Sequence, residues 1–185
     1  MVRVQAGDEA AFGALMARWE LPTKAVIARL VLNAREAEEL AQEAFVRVWQ
    51  QRDRFRPGAE FRPWLFAIAV NLARNRLRWW KRRPSVSLEE WTSTDESDAP
   101  AAKPDELVGA EGLERAERAK AVRDAISALP TDLREAVVLF EYEEMSYAEI
   151  ATVVGATPKA IETRLYRARE KLRTALAGLR SAQAL

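Results

Sequence analysis

Arg164, Arg167 and Arg169 crowd onto one stretch near the end of the chain, behind a segment with explicit helix start and stop signals. Arginine can grip a guanine edge with two hydrogen bonds or hold a phosphate, while glutamate can accept from a cytosine amino group. Ser146, followed three residues later by Glu149, has the pattern of a capping box and predicts a short helix. Gly155 predicts its end. Thr157 suits an N-cap and Pro158 the first helical position, so a second helix should begin almost at once. Two helices across a tight turn are the layout of a helix-turn-helix, whose second helix enters a DNA major groove. With Ile161, Leu165, Ala168, Leu172 and Leu176 turned inward, the other face presents Lys159, Ala160, Glu162, Thr163, Arg164 and Arg167. The alternative for these residues is a solvated basic helix that closes a bundle.

A second constellation runs from Phe61 to Arg83. It holds Arg62, Arg74, Arg76, Arg78, Lys81, Arg82 and Arg83 without one acid, together with Trp64, Trp79, Trp80, Asn71 and Asn75. Aromatic faces among cations suit unstacked bases and their backbone. The competing account makes Trp64, Phe66 and Ile68 plain core, and for Trp64 it is the stronger one. Trp79 and Trp80 are adjacent and cannot both face one core, so one should be exposed or at an interface. A third face, Glu39, Gln42 and Glu43, is grouped by helical spacing opposite an apolar stripe. Physics alone makes that face merely solvated.

Composition excludes much else. The chain has no cysteine and no histidine, which removes thiol chemistry, disulfides, a Ser-His-Asp triad and the usual zinc sites. No catalytic constellation, metal site or cofactor site is legible. No apolar run approaches the roughly 20 residues of a membrane span, and the N-terminus lacks the layout of a signal peptide, so the expectation is a cytoplasmic protein with no membrane insertion of its own. The net charge of +1 conceals segregation. Residues 84–106 carry seven acids against Lys103, and 157–180 carry seven cations against Glu162 and Glu170. Two basic elements flanking an acidic stretch point to polyanion contact at two places.

The positioning elements read as helices throughout, with no strand. Phe12, Leu15, Met16 and Trp19, then Val26, Ile27, Leu30 and Val31, recur at helical spacing, and Pro22 should bend or interrupt them. A helix over about 34–51 buries Ala37, Leu40, Ala44, Phe45 and Val48, and Arg56-Pro57-Gly58-Ala59 marks a turn before a long helix over about 62–82. Residues 84–109 collapse into Ser, Thr, Pro, Ala and acids, the composition of a linker, in which Leu88 and Trp91 could dock. Periodicity resumes with Leu113, Ala116, Val122, Ile126 and Leu129, stops at Pro130, and restarts behind a Thr131-Asp132 cap with Leu133, Ala136, Val137 and Phe140 inward. The fold class expected is all-α, with two small helical domains over 1–84 and 110–185 joined by a flexible acidic linker over 85–109.

The stretch Glu36-Ala37-Glu38-Glu39-Leu40-Ala41-Gln42-Glu43-Ala44-Phe45-Val46-Arg47-Val48-Trp49, continued by Phe61-Arg62-Pro63-Trp64-Leu65-Phe66-Ala67-Ile68-Ala69-Val70-Asn71, resembles conserved region two of bacterial sigma factors of the extracytoplasmic-function group. Ala128-Leu129-Pro130 with Arg134-Glu135-Ala136, then Ser146 to Ala151 and Arg164 to Arg169, resemble region four. Two motifs in the right order make the resemblance specific, and it covers nearly everything except the linker.

The resemblance implies a role for each face. Glu39, Gln42 and Glu43 match positions that bind the clamp helices of core RNA polymerase. Arg54, in the loop before the long helix, with Asn71, Arg74, Asn75, Arg78 and Trp79, would capture and melt the minus-ten promoter element as single strand. Thr157, Lys159, Ala160, Glu162, Thr163, Arg164 and Arg167 would read the minus-thirty-five duplex. An anti-sigma protein is the expected regulator. About 24 linker residues reach at most roughly 80 Å, enough with the domains' own width for two elements about two turns apart, at roughly 34 Å each. Three departures stand out: Asn75 where Asp is usual, Glu162 where Lys is common, and Lys159-Ala160 where Gly-Thr is common. They lead us to expect a nonstandard minus-thirty-five sequence. The start also lies closer to Gly7-Asp8 than is usual, so a short N-terminus is expected, and no C-terminal sensory extension is read. A stand-alone helix-turn-helix regulator would explain the C-terminal half but not the Trp-rich helix or the Glu39-Gln42-Glu43 face. A sequestering decoy would need its basic surfaces masked.

Overall fold

The computed structural model describes residues 1–83 and 110–177, and every regular element among them is helical. The expected linker, with Leu88 and Trp91, lies outside the described residues.

The N-terminal lobe opens with α1 (Val2–Gln5) and α2 (Glu9–Val31). Asp8 caps α2 by accepting from the Ala11 N–H at 2.9 Å. Pro22 does not interrupt this helix, which runs through it unbroken. Proline forfeits one backbone donor, and buried Thr23 donates to the Trp19 carbonyl at 2.7 Å one turn back. Packing of Val26, Ile27, Leu30 and Val31, all essentially solvent-free, outweighs the lost bond. Leu32 ends α2 in the left-handed region, φ 61°, and Asn33 at once caps α3 (Ala34–Gln50) by accepting from the Glu36 N–H at 3.0 Å. This two-residue reversal lays α3 back along α2, where Phe12 meets Trp49 at 5.0 Å and Phe45 at 6.5 Å between ring centroids. A 3₁₀ turn (Arg52–Arg54) follows, held to α1 because Gln5 donates to the carbonyls of Arg52 and Phe55 at 3.0 and 2.9 Å. The long helix α4 (Phe61–Arg82) then crosses both α2 and α3.

Of the tryptophans, Trp64 is half-buried in an aromatic cluster with Phe55 and Phe61, in keeping with the core account. Trp80 is buried and Trp79 half-buried, so neither ring stands free in solvent.

The C-terminal lobe comprises α5 (Ala110–Ser127), α6 (Thr131–Val137) running into a π-helical turn (Val138–Tyr142), α7 (Tyr147–Val154) and α8 (Pro158–Ala175). Two expectations need correction. Thr131 is the first helical residue of α6, not its cap; Pro130 holds the cap position with no side-chain bond. Ala116 and Val122 of α5 are exposed rather than inward, and among its described side chains full burial begins only at Ala125. α5 packs only lightly on α6 and α8, so Ala116 and Val122 have no partner face. Elsewhere the residues expected inward, Leu133, Ala136, Val137, Ile161, Leu165 and Ala168, are buried, Phe140, Leu172 and Leu176 are half-buried, and Ile150 and Val154 join the same core. The two lobes touch, chiefly where α7 lies on α4.

Candidate nucleic-acid and polymerase interfaces

The capping box forms as spelled. The Ser146 hydroxyl and backbone N–H both donate to the Glu149 carboxylate, at 2.6 and 2.7 Å, and the Glu149 N–H donates to the Ser146 hydroxyl at 3.3 Å. Those donors hold the Glu149 carboxyl below its ordinary pKa, the side-chain bond contributing most. Gly155 closes α7 at φ 68°, where only glycine is unstrained. Two residues later Thr157 accepts from the Ala160 N–H at 3.2 Å and α8 begins on Pro158. The turn is thus fixed from both sides, and it aims the second helix.

On α8 the outward stripe consists of Thr157, Lys159, Glu162, Thr163 and Arg167, all exposed. Lys159 and Glu162 are ion-paired at 2.8 Å, so their charges largely cancel on the presented face. Arg167 has no ion pair among the described residues and is the free cation of the stripe. Two expected members turn away. Ala160 is half-buried, and Arg164 is half-buried with its guanidinium 3.9 Å from Asp132 of α6. The next position along the stripe is Tyr166, 65% exposed, which reasoning from residue type had left aside. Its spacing of seven from Lys159 and three from Thr163 is the signal that could have found it.

On α4, Asn71, Asn75 and Arg78 are exposed, and Arg78 donates to the Asn75 side-chain oxygen at 2.5 Å. Arg54 is exposed in the 3₁₀ turn. Arg83 lies over the Trp79 ring, 5.1 Å from its centroid. Arg74, although on the same stripe by spacing, is not presented with them. Its guanidinium donates twice to Glu135 of α6, at 2.6 and 2.5 Å, and at 3.3 Å to the Val154 carbonyl. Glu135 holds the Arg74 pKa above its ordinary value.

The α3 face is presented as spaced. Glu39 and Gln42 are exposed, Glu43 is half-buried, and Glu43 pairs with Arg47 at 2.5 Å. Val46, one turn beyond Gln42 and Glu43, adds an apolar side chain that is 53% exposed. An exposed valine among polar residues is unremarkable alone, but here it completes a stripe with Glu39, Gln42 and Glu43. Nothing among the described residues gathers groups fit to hold a metal ion, and no described helix is long and apolar enough to cross a membrane.

Comparison with known proteins gives a consistent picture. Residues 15–83 match the family model of sigma-70 region 2 and residues 119–172 that of sigma-70 region 4. The chain is 36% identical over 174 residues to the RNA polymerase sigma-H factor of Pseudomonas aeruginosa, covering 94% of this chain and 90% of that one. It is 36% identical over 179 residues to the RNA polymerase sigma factor CarQ of Myxococcus xanthus, covering 97% of each. The ECF RNA polymerase sigma-E factor of Escherichia coli K12 is 33% identical over 175 residues, covering 92% and 88%. Among solved structures, CnrH in complex with the cytosolic domain of CnrY aligns with a TM-score of 0.68 at 27% identity, covering 96% and 94%. The sigma factor RpoE of Bartonella quintana, solved with the anti-sigma factor NepR, aligns with 0.67 at 25% identity, covering 90% and 97%.

Proposed function

The chain belongs to the sigma-70 family, in its extracytoplasmic-function group, and from that premise we propose how its surfaces divide the work of starting transcription. It is a sigma factor that binds RNA polymerase. The observation that carries the division is the α3 face, where Glu39, Gln42, Glu43 and Val46 stand together facing solvent. A regulator that only bound duplex DNA would have no use for it. Polar residues around an exposed apolar one suit a protein–protein contact, and we assign this face to the polymerase clamp.

The α8 stripe of Thr157, Lys159, Glu162, Thr163, Tyr166 and Arg167 reads the minus-thirty-five duplex. Arg167 supplies charge, and the Lys159–Glu162 pair sets the hydrogen-bonding pattern offered to the bases. On α4, Asn71, Asn75 and Arg78 with Trp79, assisted by Arg54 from the turn before it, take the minus-ten strand once it is unpaired. Bond-making belongs to the polymerase; this chain is an initiation factor acting beside it in the cytoplasm. Two of its structural relatives were solved with partners, one of them named an anti-sigma factor, and a regulator of that kind is its expected partner.

The test is co-elution with core RNA polymerase, comparing wild type with the double variant Gln42→Ala, Glu43→Lys. Co-elution lost in the variant supports the assignment. A folded wild type that never co-elutes would shift the reading to a stand-alone DNA-binding regulator.

A further inference from the structure

Lys159 stands in the first turn of α8 and Glu162 one turn later, the reverse of the order a helix favours. The partial positive charge at a helix N-terminus attracts acids and repels cations, and an acid–base pair along a helix is stronger with the acid on the N-terminal side. The first turn of α8 nevertheless carries no acid. The pair is also open to solvent, its side chains 81% and 52% exposed, and an exposed ion pair adds little to stability. The helix therefore gains nothing from these two residues in this order. Positions that break a local rule without a gain in stability mark functional sites.

The pair's geometry says what it suits. The Lys159 ammonium donates to Glu162 Oε2 at 2.8 Å, and it keeps further protons to give while the carboxylate keeps further lone pairs. A donor and an acceptor are thus held side by side before DNA arrives, so binding need not order both long side chains afresh. A guanine–cytosine pair sets guanine O6, an acceptor, beside cytosine N4, a donor, on its major-groove edge. Those two atoms are bonded to each other at about 2.9 Å. The spacings agree. A lysine over O6 also reaches N7 of the same guanine, and a carboxylate over cytosine N4 meets no second acceptor. A thymine–adenine pair likewise sets an acceptor, O4, beside a donor, N6. There, however, adenine N7 turns a lone pair toward the carboxylate. Glutamate is repelled by it, whereas glutamine has an N–H to give.

We infer that the Lys159–Glu162 ion pair reads one guanine–cytosine base pair of the duplex as a unit, Lys159 on the guanine and Glu162 on the cytosine amino group. Glu162 is then the residue that selects cytosine, and Lys159 holds its carboxylate in place while taking the partner base. The inference rests on the assignment of α8 to duplex DNA and adds to it the identity of a base.

The test is selection from promoter-length duplexes randomised over both elements, using the full-length chain reconstituted with core RNA polymerase, followed by sequencing. Wild type should return cytosine at one minus-thirty-five position, enriched about tenfold over the other bases. Glu162→Gln should change that position to adenine and leave its neighbours as they were. Lys159→Ala should keep the cytosine but enrich it less. Arg167→Ala, which removes charge from the same stripe, should return the wild-type bases. A merely structural role for the pair would move affinity or stability, not the identity of one base.

Both side chains are exposed, and circular dichroism checks that each variant folds. Should Glu162→Gln fail to fold, Lys159→Ala carries the test through its weaker cytosine enrichment. The same bases from wild type and Glu162→Gln would overturn the inference, as would a wild-type selection without cytosine or full enrichment in Lys159→Ala. Co-elution is read separately. If the chain never joins the polymerase, the sigma reading falls alone, because the same selection run on the full chain by itself still decides the base. Co-elution without the base exchange removes this inference alone.

Discussion

Arg76 of α4 and Glu36 of α3 form an ion pair inside the N-terminal lobe, with side chains 29% and 12% exposed. The pair joins the helix assigned to the polymerase to the helix assigned to the melted strand, close to the N-terminal end of the former. Its first consequence is mechanical, since two surfaces on rigidly coupled helices keep one relative geometry. Glu36→Gln leaves a largely buried guanidinium short of its counter-charge and should destabilise the lobe by about 2 kcal/mol. Urea unfolding followed by circular dichroism measures it; a loss no larger than that of an exposed control such as Glu20→Gln would refute the coupling.

Val46 tests the polymerase face without touching a charge. It is exposed, so Val46→Asp should leave the melting temperature nearly unchanged. A central apolar contact replaced by a charge should nonetheless weaken core polymerase binding about tenfold. A titration of labelled core enzyme that gave equal affinity for variant and wild type would move the contact elsewhere.

The recognition stripe gives a prediction about charge. Glu162→Lys breaks the pair with Lys159 and replaces a mutually neutralised couple by two adjacent cations. Selection of preferred duplexes from a random pool should return a different minus-thirty-five consensus, and total affinity should rise at low salt. Arg167→Ala should instead weaken all duplexes and reduce the slope of log affinity against log salt by about one. An unchanged consensus for Glu162→Lys would remove Glu162 from the reading face.

Two carboxylates of the C-terminal lobe should answer pH with opposite sign. Hydrogen bonds from Ser146 lower the Glu149 pKa. Its stabilising contribution is therefore present above the ordinary carboxylate range and is lost as pH falls through the lowered value. Burial, the largest influence on Glu143, raises its pKa against the opposing pull of Arg62 and Arg29. Its contribution is complete in acid, below the ordinary value, and is lost as pH rises through the raised one. Thermal melts between neutral pH and about pH 3 should show Glu149→Gln most costly near neutrality, with the cost fading in acid. Glu143→Gln should help most near neutrality and lose its advantage in acid. Ser146→Ala, which removes the hydroxyl half of the capping box and leaves the backbone N–H bond to Glu149, should cost about 1 kcal/mol near neutrality.

What could be read in the chain beforehand was whatever neighbouring residues decide between themselves. The Ser146–Glu149 box, the Gly155 stop and the Thr157-Pro158 start are local bargains of hydrogen bonding and dihedral angle, and all appear where their residue types place them. The apolar stripes of α2, α3, α4 and α8 are likewise matters of period. Pro22 did not interrupt α2, because the local rule about a missing donor was overruled by packing of partly buried Trp19 before it and buried Thr23, Val26 and Ile27 after it. Val122 misled in the other direction, since its spacing promised a partner that the fold does not bring near.

The family and the order of its regions were therefore legible in the sequence as a resemblance, which the family matches bear out, and the roles proposed for its surfaces follow from that resemblance rather than from spacing. Which members of each surface stand free was decided only by tertiary structure. Arg164 and Arg167 are indistinguishable in sequence, yet one leans toward Asp132 and the other faces solvent. Arg74 and Arg78 share a helix face, yet one is held by Glu135, 61 residues away along the chain. An ion pair between distant positions leaves no periodic trace. Its partners are chosen by how helices pack, and that choice depends on every apolar residue between them.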